Sequence, residues 1–413
     1  MTRNAAIVPA RKLRPARAPT AMLITALGLP AAALADQFDT LNFTAGLTVL
    51  QDDNVFRLSS AADPNRVLGK PSRSDTITVK SAGIRFNKPY SLQRFELGFN
   101  LVDYKYENFG FLSFTARNYD AAWRWSLTPR FRGNLTTNRQ QTLSSFTDFT
   151  GFVRNLRTVE STRGDATYEL DGVWRLIGSV TEIKATNSQV FLEDSDNKFR
   201  TLDAGLRYAL PSGSFAQVVA RTGAGEFFKR AQPNFAAQFD TAFDQNELEG
   251  RLNWAVTGKS IVRARLAWLE RKHQNFAQRD YSGWVGNLDG DWGISGRTRL
   301  SGSVTSELSS FQSASASYVR TNRVSVGPTV EIGAQAVARA RLEYSTRNFL
   351  GPVAATAFNN RVDTITSASV GVDWQPFRFV TLSASLQNDR RSSNLAGFDF
   401  KDTTATLAAQ LTF

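Results

Sequence analysis

The sequence predicts an all-β protein, a transmembrane antiparallel up-and-down β-barrel of about eighteen strands, with sixteen as the alternative count. Three observations carry that prediction. Side-chain character alternates with a period of two from Asp36 to the last residue; tight connections alternate with long ones; and all eight tryptophans fall on one phase of the alternation, most of them close to a strand end. Helical stripes of apolar residues at i, i+3 and i+4 are not apparent. Composition sets the outer bounds. The 413 residues hold no cysteine, one histidine and two methionines, but 30 Phe, 9 Tyr and 8 Trp. Disulfides, thiol catalysis, haem attachment and zinc sites built from cysteine or several histidines are excluded. A mean hydropathy of −0.29 argues against helical membrane spans, each of which needs about 20 mostly apolar residues in a row.

The first element is a targeting segment. Arg3, Arg11, Lys12, Arg14 and Arg17 precede an apolar stretch from Ala21 to Leu34, and Ala33-Leu34-Ala35 fits the small-x-small cleavage rule. Residues 1–35 therefore read as a cleaved secretory signal, with an N-terminal anchor helix as the alternative, and residues 36–413 as one outer-membrane barrel domain. The segment carries five basic residues and no acidic ones, so the net charge of +12 falls to +7 in the 378 residues that remain. That removes the main support for a nucleic-acid partner.

The strands follow. Leu202, Ala204, Leu206, Tyr208 and Leu210 alternate with Asp203, Gly205, Arg207 and Ala209; Leu248, Gly250, Leu252, Trp254 and Val256 alternate with Glu247, Glu249, Arg251 and Asn253. Segments of this kind span about 41–50, 76–86, 92–104, 118–127, 130–139, 165–175, 177–187, 200–210, 214–223, 246–256, 260–270, 281–293, 297–308, 320–331, 335–346, 362–374, 378–388 and 402–413. Tight links at Asn87-Lys88-Pro89-Tyr90, Thr128-Pro129, Pro211-Ser212-Gly213, Thr257-Gly258-Lys259, Ser295-Gly296 and Gln375-Pro376 alternate with long ones at 51–74, 140–164, 224–244, 347–361 and 389–401. Such alternation puts every tight turn on one rim, the layout of an outer-membrane barrel with periplasmic turns and extracellular loops. Trp125, Trp174, Trp254, Trp292 and Trp374 sit near predicted periplasmic turns, as an interfacial girdle requires. A soluble β-sandwich would instead bury tryptophan mid-strand. In the last strand Thr403, Ala405, Leu407, Ala409, Leu411 and Phe413 share one face. An amphipathic strand ending in Phe413 resembles the assembly signal of bacterial outer-membrane barrels, which makes the barrel assembly machinery an expected partner beside outer-membrane lipid.

Eighteen strands enclose an aqueous lumen, so function is read from the inward phase. Arg207, Arg251, Arg263, Arg265, Arg299, Arg339 and Arg341 occupy it together with Glu247, Glu249, Asp289 and Asp291; Arg124, Arg130, Arg132, Arg221, Arg323, Glu169 and Asp171 join them. Two readings stand. Glu247/Glu249, Arg263/Arg265 and Asp289/Asp291 on neighbouring strands form cross-strand pairs that stiffen the wall, or the net basic lining forms a constriction that favours anionic solutes, for which the planar guanidinium is suited.

Catalysis and cofactor binding find little support. His273 lies in the polar run Arg271-Lys272-His273-Gln274 and reads as a solvated loop residue, and no nucleophile-elbow sequence accompanies it. Asp52-Asp53-Asn54 and Asp194-x-Asp196-Asn197 read as turn chemistry rather than calcium loops. Gly223-x-Gly225 reads as loop without a following helix, so phosphate binding is not expected. No enzyme activity, cofactor or metal is expected, and strand alternation from Leu41 leaves no room for a globular plug.

Several local strings go beyond general barrel texture. Asp52-Asp53-Asn54-Val55-Phe56-Arg57, then Asn87-Lys88-Pro89-Tyr90-Ser91-Leu92-Gln93-Arg94-Phe95 and Asp103-Tyr104-Lys105-Tyr106, resemble the beta-barrel porin 2 group. Within it the resemblance is to outer-membrane proteins of the EpsL type, associated with exosortase and exopolysaccharide biosynthesis. That resemblance implies a role in export or assembly of an extracellular polysaccharide, with the polymer and periplasmic export components as partners, and supplies no catalytic residues. Locally, Pro89 is expected to fix a tight turn, Tyr90 to anchor at the interface, and Asp52 to Arg57 to organise the first extracellular loop by folding toward the lumen. The expected function is a passive, porin-like conduit for exopolysaccharide. A non-conducting scaffold barrel that recruits polysaccharide machinery and a generic uptake porin for anions or sugar acids are the alternatives.

Overall fold

The structure, a computed structural model, describes residues 40–147, 151–230, 240–311, 313 and 315–413. The predicted signal, residues 1–35, lies outside the described residues. Alternating residues give the chain strands with unlike faces, and eighteen of them form: β1 (Leu41–Asp52), β2 (Asp75–Tyr90), β3 (Gln93–Tyr106), β4 (Phe114–Thr128), β5 (Phe131–Leu143), β6 (Leu156–Glu169), β7 (Trp174–Asn187), β8 (Asn197–Ala209) and β9 (Phe215–Glu226). They continue as β10 (Ala242–Thr257), β11 (Ser260–His273), β12 (Tyr281–Gly293), β13 (Thr298–Ser310), β14 (Tyr318–Ile332), β15 (Ala336–Leu350), β16 (Val362–Phe377), β17 (Val380–Ser393) and β18 (Phe400–Thr412). Each strand pairs antiparallel with the next, and β1 pairs with β18 as well as with β2. The 18-stranded sheet therefore has no free edge, which is the condition for a sheet to sit in hydrocarbon. Carried once round the barrel, the register returns to β1 displaced by about 22 residues, which tilts the strands by roughly 40°.

Long and short connections alternate throughout. The described residues of loops L1 (53–74), L2 (107–113), L3 (144–155), L4 (188–196), L5 (227–241), L6 (274–280), L7 (311–317), L8 (351–361) and L9 (394–399) lie on one rim; the turns at 91–92, 129–130, 170–173, 210–214, 258–259, 294–297, 333–335 and 378–379 lie on the other. L1 carries a short helix, α1 (Pro64–Leu68), capped by the Asp63 carboxylate and closed by Gly69 in the left-handed conformation. No helix among the described residues is long and apolar enough to cross a membrane.

The apolar surface points outward. Leu47, Phe99, Val218, Leu248, Leu266, Leu342, Val370 and Leu407 are all exposed on the outer face, where a soluble protein of this size would hide them. All eight tryptophans take outward positions. Trp268 and Trp284 meet edge to face, ring centroids 5.4 Å apart, toward the loop rim. Trp123, Trp125, Trp174, Trp254, Trp292 and Trp374 lie toward the turn rim. Trp125 covers Gly133 on the facing strand and meets Phe131 edge to face; a side chain at Gly133 would strike its indole ring.

Several expected boundaries move. The sixth strand runs 156–169 rather than 165–175, because Leu170-Asp171-Gly172-Val173 is a turn: the Asp171 carboxylate accepts the backbone N–H groups of Val173 and Trp174 at 2.9 and 2.7 Å. Those two hydrogen bonds hold the Asp171 carboxyl below its ordinary range. Trp174 thus opens β7, and Asp171, like Arg130, belongs to the turn rim rather than the lumen wall. Pro89 is a strand residue paired with Arg94, and the corner falls at Ser91, φ 52°. Gln375 and Pro376 likewise lie in β16, at a register shift before Phe377. Gly223 and Gly225 belong to β9, where Gly225 leaves room for the Phe243 ring.

Candidate functional site: the lumen wall and its mouth

The inward phase of every strand lines the lumen. Arg207, Arg251, Arg263, Arg265, Arg299, Arg339, Arg341, Glu247, Glu249, Asp289 and Asp291 all lie on it, as their register with neighbouring inward residues requires. Arg263 and Arg341 keep 49% and 56% of their side-chain surface open, so the wall faces a hollow rather than a packed core.

Across β6 to β11 these charges form one continuous network. Arg163 approaches Asp203 at 3.7 Å; Arg221 donates to Asp203 at 2.8 Å and to Glu247 at 3.0 Å; Arg265 donates to Glu247 at 2.8 Å and to Glu249 at 2.5 Å; Arg251 also pairs with Glu249. Glu249 is 1% exposed, and the guanidinium groups of Arg251, Arg265 and Arg221 surround its carboxylate and compensate its burial. The expected ladder is therefore partly realised, with a different pairing. Arg263 bonds Asp291 at 2.8 Å, one diagonal step from its register partner Asp289, which instead accepts the Asn287 amide at 2.5 Å. Elsewhere Arg339 pairs with Asp373, and Arg323 and Arg341 converge on Glu343 at 3.0 and 3.2 Å.

A second group of inward arginines has no carboxylate within 4 Å among the described residues. Arg132 stands near the start of β5, Arg207 near the end of β8 and Arg299 near the start of β13, so all three lie toward the turn rim. Arg207 donates to Gln217 at 2.8 Å and lies 4.7 Å over the Phe215 ring, which fixes its plane without neutralising it. Arg132 borders a recess of about 390 Å³ whose other polar lining includes Arg94, Arg124, Asn134, Asp165 and Thr167. Arg124 there is held bidentate by Glu96, both oxygens at 3.0 Å.

The mouth is narrowed from the loop rim. Val55, Phe56 and Leu58 of L1 pack against the inner face of β1 to β3, with Ile77 and Tyr106, and meet Phe109 and Leu112 of L2 and Phe146 of L3. Phe56 is 2% exposed and its ring contacts those of Phe109, Phe111, Phe146 and Phe152. L3 crosses in front of this cluster, for Arg391 on the inner face of β17 donates to the Thr147 carbonyl at 2.5 Å. Arg57 locks L1 to the closing seam of the barrel, bonding Asp52 of β1 and Asp402 of β18, each at 2.9 Å. Burial disfavours the Arg57 cation, but Asp52 and Asp402 more than compensate and hold its pKa above the ordinary value. Its backbone is left-handed, φ 55°, a conformation that these bonds sustain.

Every loop is tied to the next by at least one hydrogen bond. Asp75 accepts the N–H groups of Glu107, Asn108 and Phe109; Arg154 donates to the Ser113 carbonyl; Asn155 accepts Ser188 and Gln189; Arg230 reaches the Asp194 carbonyl. Asp240 accepts Asn275 and Phe276; Arg279 donates to the Ser313 carbonyl; Ser317 bonds Gly351; Asn394 donates to the Asn360 carbonyl; and Ser59 of L1 bonds Asp399 of L9. Asp75, Asn155 and Asp240 each stand at the end of an odd-numbered loop or the first residue of the strand after it, and each caps backbone of the following loop.

Other singled-out residues take definite places. His273 is not a solvated loop residue: it closes β11, is buried, and its N–H donates to Asp280 at 2.7 Å. Asp52, Asp53 and Asp402 bring carboxylate oxygens within 4.8 Å of one another. Asp52 accepts the Asn54 N–H, Asp53 the Thr403 N–H, and Arg57 bridges Asp52 and Asp402, so these acids organise the loop as turn chemistry predicts. Asp402 was missed because it is adjacent to Asp52 only once the barrel closes. Phe413 exchanges backbone hydrogen bonds with Phe43, both 2.8 Å, and stacks on Phe379.

This geometry is that of a porin-like β-barrel, and comparisons with known proteins agree. Residues 249–413 match the family model described as Putative beta-barrel porin 2. Among solved structures the chain is similar to OccK1 (OpdK) of Pseudomonas aeruginosa, with a TM-score of 0.52 at 10% identity, covering 90% of this chain and 99% of that one. A BenF-like porin of Pseudomonas fluorescens gives 0.51 at 10% identity over 90% and 99% of the two chains. OccK2 (OpdF) of Pseudomonas aeruginosa, solved in complex with glucuronate, gives 0.51 at 10% identity over 91% and 96%. At such identities the likeness concerns the fold. A comparison of the sequence with curated proteins returns no match.

Proposed function

We propose that the protein is a passive outer-membrane conduit that favours small anionic solutes of the sugar-acid class, with the loop rim outside the cell and the turn rim in the periplasm. The observation that carries this reading is the set of lumen arginines with no carboxylate within 4 Å among the described residues, Arg132 on β5, Arg207 on β8 and Arg299 on β13, all toward the turn rim. An unmatched cation in a water-filled channel attracts anions, and a planar guanidinium binds a carboxylate through two parallel bonds. The matched network of β6 to β11 stiffens the wall beside that set. Arg207 is oriented for a passing carboxylate in advance by Gln217 and Phe215. The remaining lumen candidates, Arg251, Arg263, Arg265, Arg339 and Arg341 with Glu247, Glu249, Asp289 and Asp291, set the field around it. Trp125, Trp174, Trp254, Trp292 and Trp374 form the periplasmic girdle, Trp268 and Trp284 mark the outer one, and Phe413 closes the seam as an assembly signal.

Export of an acidic exopolysaccharide is the second reading, supported by the resemblance in Asp52 to Arg57 and Asn87 to Phe95. The mouth favours the first. An extended polymer needs a continuous opening, whereas L1 and L3 fold over the inner wall from β17 to β6. The test is liposome swelling with an uncharged sugar and a sugar acid of equal size. Faster entry of the acid, lost in an Arg132→Gln/Arg207→Gln/Arg299→Gln variant, supports the conduit. Equal entry of both solutes overturns it, and loss of surface polysaccharide in a deletion strain, without a change in sugar-acid permeability, favours export.

A further inference from the structure

We infer that the outer face of β2 to β4, just below the loop rim, binds a phosphorylated glycolipid of the surrounding leaflet through Lys80, Lys105 and Arg117. This inference rests on the outer-membrane reading above. The lipid-facing side of a barrel strand ordinarily excludes charge except near an interface. Lys80, Lys105 and Arg117 share the outward phase of three consecutive strands, and all three are exposed. With the strand tilt allowed for, they stand at the level of Trp268 and Trp284 on the far wall, which marks the upper interface.

At this depth three cations stand together on β2 to β4, whereas on the far wall the Trp268 and Trp284 pair is accompanied by one cation, Arg320, among the outward residues of β11 to β14 at this level. Arg139 adds a fourth positive charge, its guanidinium donating to the Arg117 carbonyl. Acidic residues offset this only in part. Asp103 spends one oxygen on the Thr115 hydroxyl at 2.7 Å, and Glu160 stands 3.5 Å from Arg139. Lys80, Lys105 and Arg117 have no carboxylate within 4 Å among the described residues, although Asp103 is the register partner of Lys80.

What lies below the cations decides the class of partner. Ile84, Phe99, Leu101 and Tyr119 are exposed on the same strands immediately toward the turn rim. A row of cations above an apolar strip matches a molecule with phosphate at its head and acyl chains beneath. Free phosphate makes no use of the strip, and an acidic soluble protein has no access to its depth. The phosphates would sit among the three cations with the chains on Phe99 and Leu101.

The experiment uses the full barrel in mild detergent and native mass spectrometry, titrating a bis-phosphorylated lipid A and the same lipid with both phosphates removed. The expected result is at least a tenfold preference for the phosphorylated form, reduced to less than threefold in Lys80→Gln/Lys105→Gln/Arg117→Gln. It should persist in Arg320→Gln on the other wall and return in Lys80→Arg/Lys105→Arg/Arg117→Lys. Heat-modifiable gel mobility verifies that each variant is a folded barrel. Equal binding of both lipids to the wild type, or an unchanged preference in the triple Gln variant, overturns the inference. A wild type that conducts ions in bilayers yet fails this discrimination overturns it while leaving the conduit standing; a folded barrel that conducts nothing counts against the conduit alone.

Discussion

Arg57 is the residue on which the mouth depends. It is the cation shared by two buried carboxylates from strands at opposite ends of the chain, Asp52 and Asp402. Removing one member of a buried ion pair leaves uncompensated charge, at a cost of about 3–5 kcal/mol. Arg57→Met should therefore release L1, seen as protease cleavage within 53–74 and as larger, noisier single-channel conductance; an unchanged cleavage pattern would show that Arg57 does not hold the loop. Asp196 of L4 gives a residue-scale test by pH. It is buried while accepting two bonds from Asn187, and burial raises its carboxyl above the ordinary value despite them. An acid with a raised folded-state pKa destabilises the fold while ionised and ceases to do so as pH falls through that pKa. Asp196→Asn should accordingly protect L4 from protease at pH 7, with the difference from wild type shrinking on acidification toward pH 4. A difference that grows on acidification contradicts this account of Asp196.

At the scale of elements, the strands were legible because each carries its own two-face code. All eighteen were found in order, and the outward phase of every tryptophan was read correctly. Ends were less legible where turn chemistry resides in few residues. Asp171 defines a turn through two backbone bonds, yet by alternation alone Asp171 and Trp174 pass for continuing strand. Pro89 and Pro376 were read as corners, but each lies within a strand near the turn rim, where a missing N–H costs little. L1 illustrates the reverse case. Its fold toward the lumen was expected from Asp52 to Arg57, while the aromatic rings that receive Phe56 come from two other loops, L2 and L3, and have no local signature. Phe56→Ala should remove about 3–5 kcal/mol from that cluster. The predicted readout is loosening of L1, L2 and L3 together in hydrogen exchange; loosening of L1 alone would mean that the loops are independent.

For the whole molecule, closure creates what the linear sequence conceals. β1 meets β18, so Asp402 joins Asp52, and Ser59 of L1 meets Asp399 of L9 to complete the circle of loop contacts. Many of the inward charges were read as lumen residues, but Arg163, Asp203, Glu343 and Asp373 were left out, and the division between matched and unmatched arginines was not read. Whether Arg265 finds Glu247 and Glu249 while Arg207 finds only Gln217 depends on register across strands, which the sequence leaves implicit. That division also makes Arg132, Arg207 and Arg299 suitable for removal, since none leaves a buried carboxylate behind. The most direct measurement is the reversal potential of the purified barrel in a planar bilayer under a salt gradient. The account predicts anion preference in the wild type and its loss in Arg132→Gln/Arg207→Gln/Arg299→Gln. Cation preference that the triple variant leaves unchanged would contradict it.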